Sequence, residues 1–178
     1  MNREALQKAI DNLSIEMIYL HSTNAQLCNN FDPLIPNQEL IGQYAIRTKS
    51  CSVKELQDDT GVKNKSLVYQ TEASMRYLKG PIPDELKSSE NEEQLNELIV
   101  AEIEAVFVSE YACKEELSQD AILEFGRINV PHQVWSYWRE YCHSTCARMS
   151  LPISILPMLV INKTTENSLE LDKRTRTV

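Results

Sequence analysis

The side chains that could carry chemistry are few, and the densest group is a Cys-His-x-x-Cys stretch. Cys142, His143 and Cys146 could hold a metal ion or exchange electrons as a dithiol. The two cysteines are four residues apart, so on a helix they share one face, which is also the apolar stripe of the surrounding segment. A structural zinc needs four ligands, and the sequence offers no second Cys/His cluster. We therefore interpret both cysteines as core residues.

Nucleophilic and acid–base catalysis find equally little support. The chain has three histidines, His21, His132 and His143, and only four glycines. No nucleophile stands on a Gly-framed elbow, and no Gly-rich loop could cradle a phosphate. Glu102 and Glu104 share one strand face, where solvation or a partner explains them better than acid–base work. We expect no enzymatic activity, no cofactor and no bound metal.

Charge and composition argue against several other classes of protein. The net charge of −8 at pH 7 disfavours nucleic-acid binding, because phosphate contacts need clustered Lys and Arg. The acidity serves either solubility alone or the attraction of basic or unfolded partners. No apolar run reaches the ~18 residues of a membrane span, and the opening MNREALQKAIDNL lacks the apolar region of a secretory signal. With five cysteines and no such signal, we expect a cytoplasmic protein without membrane insertion.

Hydrophobic periodicity predicts one helix and then four strands. Residues 3–12 have helical spacing, and from Leu13 the alternation of a strand begins, with Leu13, Ile15, Met17 and Tyr19 on one face. Residues 22–37 read as a loop or a broken edge strand. Further strands are predicted at 39–53, 67–77 and 99–108, with a turn at 57–64 and a solvated connection at 80–94.

The period becomes helical again after the fourth strand. Ser118 is a plausible N-cap for one short helix, and Pro131 is predicted to begin a second that Pro152 ends. Residues 151–161 are apolar but hold two prolines, so they must run extended against the rest of the protein. We expect one domain at 1–161 and a disordered polar tail at 162–178.

A block of strands followed by helices predicts an α+β fold: a four-stranded antiparallel sheet with C-terminal helices and an extra N-terminal helix. Helices on one face would leave the other face bare. That face is too apolar for a monomer, so we expect sheet-to-sheet association. Its expected members, or the opposite set, are Ile18, Leu20, Val68, Leu78, Val100, Val106 and Val108.

The stretch NVPHQVWSYWREYCHSTCARMSLPISILP, residues 129–157, resembles the C-terminal signature of the SecB-like chaperones. In that family a Pro-initiated helix carries an aromatic pair, Tyr-x-Arg-Glu, a small or polar turn with Arg, and an apolar Leu-Pro segment. The matching residues here are Tyr137, Arg139, Glu140, Thr145, Arg148, Leu151 and Pro152. The likeness in pattern extends over roughly 13–161, with weak residue identity upstream.

The resemblance implies a dimer of dimers that holds unfolded polypeptides in long apolar grooves between sheet and helix, without nucleotide. Some members pass preproteins to the SecA motor, and others protect an aggregation-prone antitoxin. The candidate groove residues are Tyr44, Leu67, Tyr69, Met75, Phe107, Trp135 and Trp138. The same aromatic residues could instead form the core between helix and sheet, and the sequence leaves this open.

Two features favour a dedicated chaperone over a general export chaperone. Export-type members carry acidic residues at and just after the end of the first strand, where SecA docks, whereas this chain has Ser22 and Gln26 there. Glu72 could supply a further acidic contact. The N-terminal helix is not an export-type feature either. A small-molecule-binding or structural protein with the same fold remains the other hypothesis.

Overall fold

The computed structural model describes residues 2–28, 30–57, 63–80, 92–153, 156–159 and 176–177. Its long strands form one antiparallel sheet, which a long helix covers on one face, and this confirms the predicted α+β fold. The strand order is β1-β4-β3-β2-β5. The elements in chain order are α1 (Arg3–Asn12), β1 (Leu13–Leu27), β2 (Leu40–Gln57), β3 (Lys63–Lys79), α2 (Glu92–Glu97), β4 (Ile99–Cys113), α3 (Gln119–Arg148) and β5 (Arg176–Thr177).

Several boundaries differ from the sequence-based prediction. β1 continues to Leu27, so the first part of 22–37 is an edge strand, which is one of the two predicted alternatives, and not a loop. The last part of the predicted connection at 80–94 begins helix α2, and 81–91 lie outside the described residues. Most of the predicted turn at 57–64 also lies outside them. Of the tail expected to be disordered, Arg176 and Thr177 are described, and they form a strand.

The prediction of which β1 side chains share a face is wrong beyond Ile15, because the strand contains β-bulges. One bulge lies between Ile15 and Met17, and a second follows Leu20. A bulge adds one residue to one strand only, so the alternation changes side. Ile18 therefore packs against the helix-covered core, while Met17 and Tyr19 turn to the opposite face.

The central strands alternate as predicted, and α3 covers their odd-numbered side chains. Every odd position through the middle of β3 and β4 is buried, and the cross-strand register places the two sets on one face. These positions are Leu67, Tyr69, Thr71, Ala73, Met75 and Tyr77 in β3, and Ala101, Ile103, Ala105, Phe107, Ser109 and Tyr111 in β4. We call the other side of the sheet the open face.

Helix α3 is one continuous helix of 30 residues, not the two predicted. Ser118 caps it, since its hydroxyl accepts a hydrogen bond from the N–H of Ala121 at 3.3 Å. Pro131 lies inside the helix, where a proline costs ~3 kcal/mol. Val130 and Val134 on either side are fully buried, and burying each contributes ~1.5–3 kcal/mol. Packing against the sheet therefore outweighs the local cost and keeps the helix unbroken.

Helix α1 packs on the first half of α3 before the chain turns directly into β1. Ala9 is fully buried there. Asn2 caps the helix through its side chain, which accepts from the N–H of Ala5, and its own N–H donates to Glu124 on α3. The predicted N-terminal helix is thus present and docked.

Helix α3 approaches the sheet closely at Gly126. A Cβ at this position would lie 2.7 Å from Cε1 of Tyr69. The Tyr69 ring cannot retreat easily, because it lies against the rings of Tyr111 and Phe125, with centroids 5.7 and 6.1 Å away. The Tyr69 hydroxyl also donates to the carbonyl of Ile122 at 3.0 Å. The absence of a side chain at Gly126 therefore allows the helix to lie this close to the sheet at this point.

We expect Gly126→Ala to destabilise the protein despite its better helix propensity. Alanine gains ~1 kcal/mol over glycine inside a helix, but overpacking a tight core costs ~1–3 kcal/mol. The expected net loss is about 1 kcal/mol in the free energy of unfolding, measured by urea denaturation. Ser136→Ala, at an exposed position of the same helix, is the control and should be neutral or slightly stabilising. A Gly126→Ala protein as stable as the control variant would contradict the close contact.

Candidate functional site

The structure places six of the seven candidate groove residues in the closed core between α3 and the sheet. Leu67, Tyr69, Met75, Phe107, Trp135 and Trp138 are each at most 4% exposed. Only Tyr44 is partly exposed, and its ring lies 5.6 Å from that of Trp135. In this arrangement a ligand could reach Tyr44 but not the other six. Trp135 and Trp138 of the aromatic stripe of α3 are core residues, which is the alternative that the sequence left open beside a groove.

The two cysteines of the Cys-His-x-x-Cys stretch are core residues, as predicted. Cys142 and Cys146 are free thiols with no exposed surface, and the sulfur of Cys146 lies 3.3 Å from the Tyr77 hydroxyl. A hydrogen bond with Cys146, together with burial, raises the pKa of Cys142 far above its usual range. The Cys142 thiol is therefore protonated at neutral pH. Among the described residues, no three His, Cys, Asp or Glu side chains are grouped to hold a metal ion.

The motif residues of α3 divide between packing and solvent. Tyr137 and Glu140 are exposed, whereas Thr145 and Leu151 are buried. The carbonyl of Pro152 accepts a hydrogen bond from the hydroxyl of Tyr77 at 2.6 Å. Of the remaining two motif residues, Arg139 is partly exposed and Arg148 is exposed.

The described part of the C-terminal Leu-Pro segment runs back along α3, so it lies against the rest of the protein as predicted. The indole N–H of Trp135 donates to the carbonyl of Pro157 at 2.9 Å, and the guanidinium of Arg139 lies 3.5 Å from the sulfur of Met158. Leu151 and Leu156 fill the core edge. Ile153 and Met158 remain exposed. The segment therefore adds apolar surface to the outside of the protein while closing the core.

The loop that connects β1 to β2 lies at the end of the sheet where β2 begins and β3 ends. We call this end of the sheet the loop end. The N–H of Gly80 donates to the carbonyl of Glu39 at 2.8 Å, which fixes the loop there. Leu34 and Ile35 of this loop are 79% and 55% exposed. Sequence reasoning missed this pair, although an apolar dipeptide between Pro33 and Pro36 in a polar stretch is the available signal.

The edge of β1 is apolar on both of its faces. Among the described strands, none pairs with its outer side. Because of the bulges, Ile15 and Leu20 project toward the helix side, and Met17 and Tyr19 toward the open face. All four are exposed, at 41–55%. An unpaired strand edge of this length with exposed apolar side chains is a surface for association.

The opposite edge, β2, already accepts a strand. Strand β5 pairs antiparallel with it at Ile41 and Gly42, and no other described strand covers the rest of its outer side. Tyr44 and Ile46, on the helix side, are only partly buried, and Val53 is 57% exposed. An extended segment added here would cover this apolar row with alternate side chains.

The open face is more polar than the sequence suggested. Glu72 lies at its middle, where it accepts hydrogen bonds from Lys49 at 2.5 Å and Arg47 at 2.9 Å. The hydrogen bond from Lys49 is the largest cause that lowers the pKa of Glu72 below its usual value. The hydrogen bond from Arg47 and the positive charges of both side chains lower this pKa further. Beside this group is a concavity of about 620 Å³, whose lining includes Ser22 and Glu104.

The apolar residues expected on the open face are only partly there. The register places Val68, Leu78, Val106 and Val108 on it, and Leu78 and Val108 are buried. Val100 belongs to the core cluster instead. Ile18 and Leu20 lie on the helix side instead, because of the bulges in β1. The open face is thus not the large apolar surface from which sheet-to-sheet association was argued.

In the described part of the chain, no helix is long and apolar enough to cross a membrane.

No protein-family model and no curated protein matches the sequence. Among solved structures, the fold is similar to that of the Mycobacterium tuberculosis Rv1957 SecB-like chaperone, solved in complex with a ChAD peptide from the Rv1956 HigA1 antitoxin. The likeness covers 88% of this chain and 98% of that one, with a TM-score of 0.57 and 15% identity. The chain therefore has the SecB-like fold.

We expect Trp138→Ala to cost ~3–5 kcal/mol of stability, because it removes the largest fully buried side chain. Within the described residues its indole N–H has no hydrogen-bond partner, so the loss is one of packing. Tyr137→Ala, at the neighbouring position that is 47% exposed, is the matched control and should change stability by less than about 0.5 kcal/mol. Urea unfolding followed by tryptophan fluorescence and circular dichroism measures both. Equal stability of the two variants would contradict the assignment of Trp138 to the core.

Proposed function

We propose that this chain is a subunit of a SecB-like, ATP-independent chaperone that holds unfolded polypeptides and performs no chemistry. The observation that supports this best is the exposure of apolar side chains along both sheet edges and at the loop end, around a closed core. A monomeric enzyme has no use for such surface, whereas a protein that binds polypeptide does. We further propose that it works in the cytoplasm.

Binding of an unfolded client would combine two kinds of contact. The part of the β2 edge that no described strand covers offers backbone groups that can pair with an extended client strand, as β5 does at Ile41 and Gly42. The exposed side chains of Leu34, Ile35, Ile153 and Met158 offer apolar contacts without reading sequence. Each contact is weak, but several along one assembly add as effective concentration. This gives affinity for many extended apolar segments.

Self-association into a dimer of dimers is part of the proposal. The outer edge of β1 would pair with β1 of a second copy and cover its exposed apolar side chains. Such pairing is isologous, so it closes on itself as a dimer, and a second interface would join two such dimers. The β2 edges would then lie at the two outer ends of the joined sheet, free for clients.

A dedicated client, such as an antitoxin, is the finer hypothesis that we favour over general export. The SecB-like chaperone of similar fold was solved with an antitoxin peptide. In addition, Ser22 and Gln26 stand where export-type members carry acidic residues for SecA docking, and Glu72 forms ion pairs with Lys49 and Arg47. Binding of purified SecA would favour an export role, and a cognate antitoxin as neighbouring gene product would favour the dedicated one.

We expect the protein to suppress aggregation of a denatured client without ATP. Light scattering of a chemically denatured client after dilution should fall as chaperone is added, at near-stoichiometric ratios. Replacing Leu34 and Ile35 with Asp should weaken suppression several-fold, because a charge in the contact must be desolvated. Leu123→Asp, at an exposed apolar position early in α3, is the control and should keep full activity. Unchanged aggregation in a large excess of the wild-type protein would refute the proposed function.

We also expect charges on β1 to break the assembly. Tyr19→Lys together with Leu20→Lys would place like charges across the proposed β1–β1 interface, which strand edges use to prevent pairing. Light scattering coupled to gel filtration should show four chains for the wild type and fewer for this variant. Val53→Lys on the β2 edge is the control and should keep the wild-type mass. A monomeric wild type, or a variant of unchanged mass, would contradict association through β1.

A further inference from the structure

We infer that the first part of α3 opens from the sheet together with α1, as a unit of low stability, and that this opening uncovers an aromatic surface for a client. We call residues 119–129 the first part of α3 and residues 130–148 its second part. The inference rests on the proposed function, because it says how a client reaches side chains that the closed helix covers. It is carried by the unequal packing of the two parts on the sheet.

The two parts of α3 bury very different amounts of apolar surface. The structure describes the whole of this helix, and the buried positions of its first part are Ala121, Phe125 and Gly126. Phe125 is therefore the only large buried side chain of the first part. Hydrophobic stabilisation scales with the apolar area removed from water, so the second part is held far more strongly. The buried residues of the second part are Val130, Pro131, Val134, Trp135, Trp138, Cys142, Thr145 and Cys146.

The first part is also weakly joined to its neighbours in the chain. Pro131 has no N–H, so it cannot donate the hydrogen bond that would tie the second part to the preceding turn. Gly126, in that preceding turn, loses more backbone freedom in a helix than any other residue type. On the other side, residues 114–118 connect β4 to α3 and form neither helix nor strand. The first part can therefore open while the second part stays in place.

Two hydroxyl groups of the sheet hold the first part closed. The hydroxyl of Tyr69 donates to the carbonyl of Ile122 at 3.0 Å, and the hydroxyl of Thr48 donates to the carbonyl of Gly126 at 2.5 Å. When the first part opens, water replaces the sheet as the partner of these groups, so each bond opposes opening only modestly. The two hydroxyls act as latches that set how often the first part is open.

Helix α1 belongs to the same unit. Ala9 is fully buried where α1 packs on the first part of α3, and the N–H of Asn2 donates to Glu124 at 3.1 Å. A helix of 10 residues is marginal in water without such packing. We therefore expect α1 to lose its protection against solvent whenever the first part opens.

The surface beneath the first part is aromatic. The ring of Phe125 lies 6.1 Å from that of Tyr69 and 5.1 Å from that of Tyr111, between helix and sheet. Opening removes Phe125 with the helix and leaves the two tyrosines of the sheet facing solvent. A tyrosine ring combines an apolar body with one polar end, which suits contact with extended chains of varied sequence. Tyr69, a groove residue predicted from the sequence, then becomes accessible, while Trp135 and Trp138 stay covered.

The closed state would set a threshold for binding. The apparent affinity for a client is reduced by the fraction of molecules in which the first part is open. A change that removes one latch should therefore raise this fraction and the client affinity by the same factor. A change of equal size beside the second part should alter neither.

The first experiment is amide hydrogen exchange of the full chain and needs no client. The amides of residues 122–127 and of α1 should exchange at least about tenfold faster than those of 134–142, because sub-global opening frees the former alone. The rates of the first two segments should also rise together in low urea. Equal protection of residues 122–127 and 134–142 would overturn the inference.

Variants of the latches separate this opening from simple fraying of a helix end. Tyr69→Phe and Thr48→Val each remove one donor and keep the shape of the side chain. Each should speed exchange at 122–127 about threefold to tenfold and leave 134–142 unchanged. The control is Tyr77→Phe, which removes a hydroxyl that donates to the carbonyl of Pro152 at 2.6 Å, and it should leave 122–127 unchanged. Equal acceleration of both segments by the latch variants would overturn the inference.

The last experiment measures binding of an extended apolar client peptide by fluorescence anisotropy. Thr48→Val should bind more tightly than the wild type by the same factor as its gain in exchange, about threefold to tenfold. Tyr77→Phe should bind like the wild type. Unchanged affinity of Thr48→Val, with faster exchange, would overturn the link between opening and binding. Absence of binding by the wild type and by Thr48→Val, with the difference in exchange intact, would refute the proposed function and leave the opening established.

Discussion

The contact between α3 and the middle of the sheet is the constraint on which the rest of the structure depends. At Gly126 the helix lies so close to Tyr69 that no side chain fits between them. Thr48 strengthens the contact by donating to the carbonyl of Gly126 at 2.5 Å. Because the helix lies flat and unbroken on the sheet, Trp135 and Trp138 are sealed in the core. Most of the apolar surface that remains is therefore found where the helix does not reach, at the strand edges and the loop end.

The two edges of the sheet differ in a way that suits different partners. Along β1 the bulges turn apolar side chains to both faces, so an identical edge could cover them on both sides at once. Along β2 the larger exposed and half-buried apolar side chains lie on the helix side, while Arg47 and Lys54 on the open face form ion pairs with Glu72 and Glu110. An added strand there would be held on one side by apolar contacts and would face solvent on the other. This fits a client that comes and goes better than a permanent subunit.

The charged middle of the open face explains why that face can stay uncovered. Glu72, Arg47 and Lys49 form a local ion-pair group across β2 and β3. Exposed ion pairs contribute little stability, typically ~0.2–1 kcal/mol, but their charges must be desolvated if another sheet packs on them. The same group also leaves Glu72 less available to a basic partner. Association through strand edges avoids both costs.

The sequence by itself determined the alternation of β3 and β4, the cap at Ser118 and the burial of both cysteines, because these follow from local spacing and composition. It also determined the fold class, since the order of periodic segments leaves few architectures. It could not determine that α3 passes through Pro131, because burial of Val130 and Val134 against the sheet offsets the local cost. Nor could it place the bulges in β1 or separate core from surface along the aromatic stripe. Those outcomes depend on register and on which elements meet, and only the tertiary structure decides them.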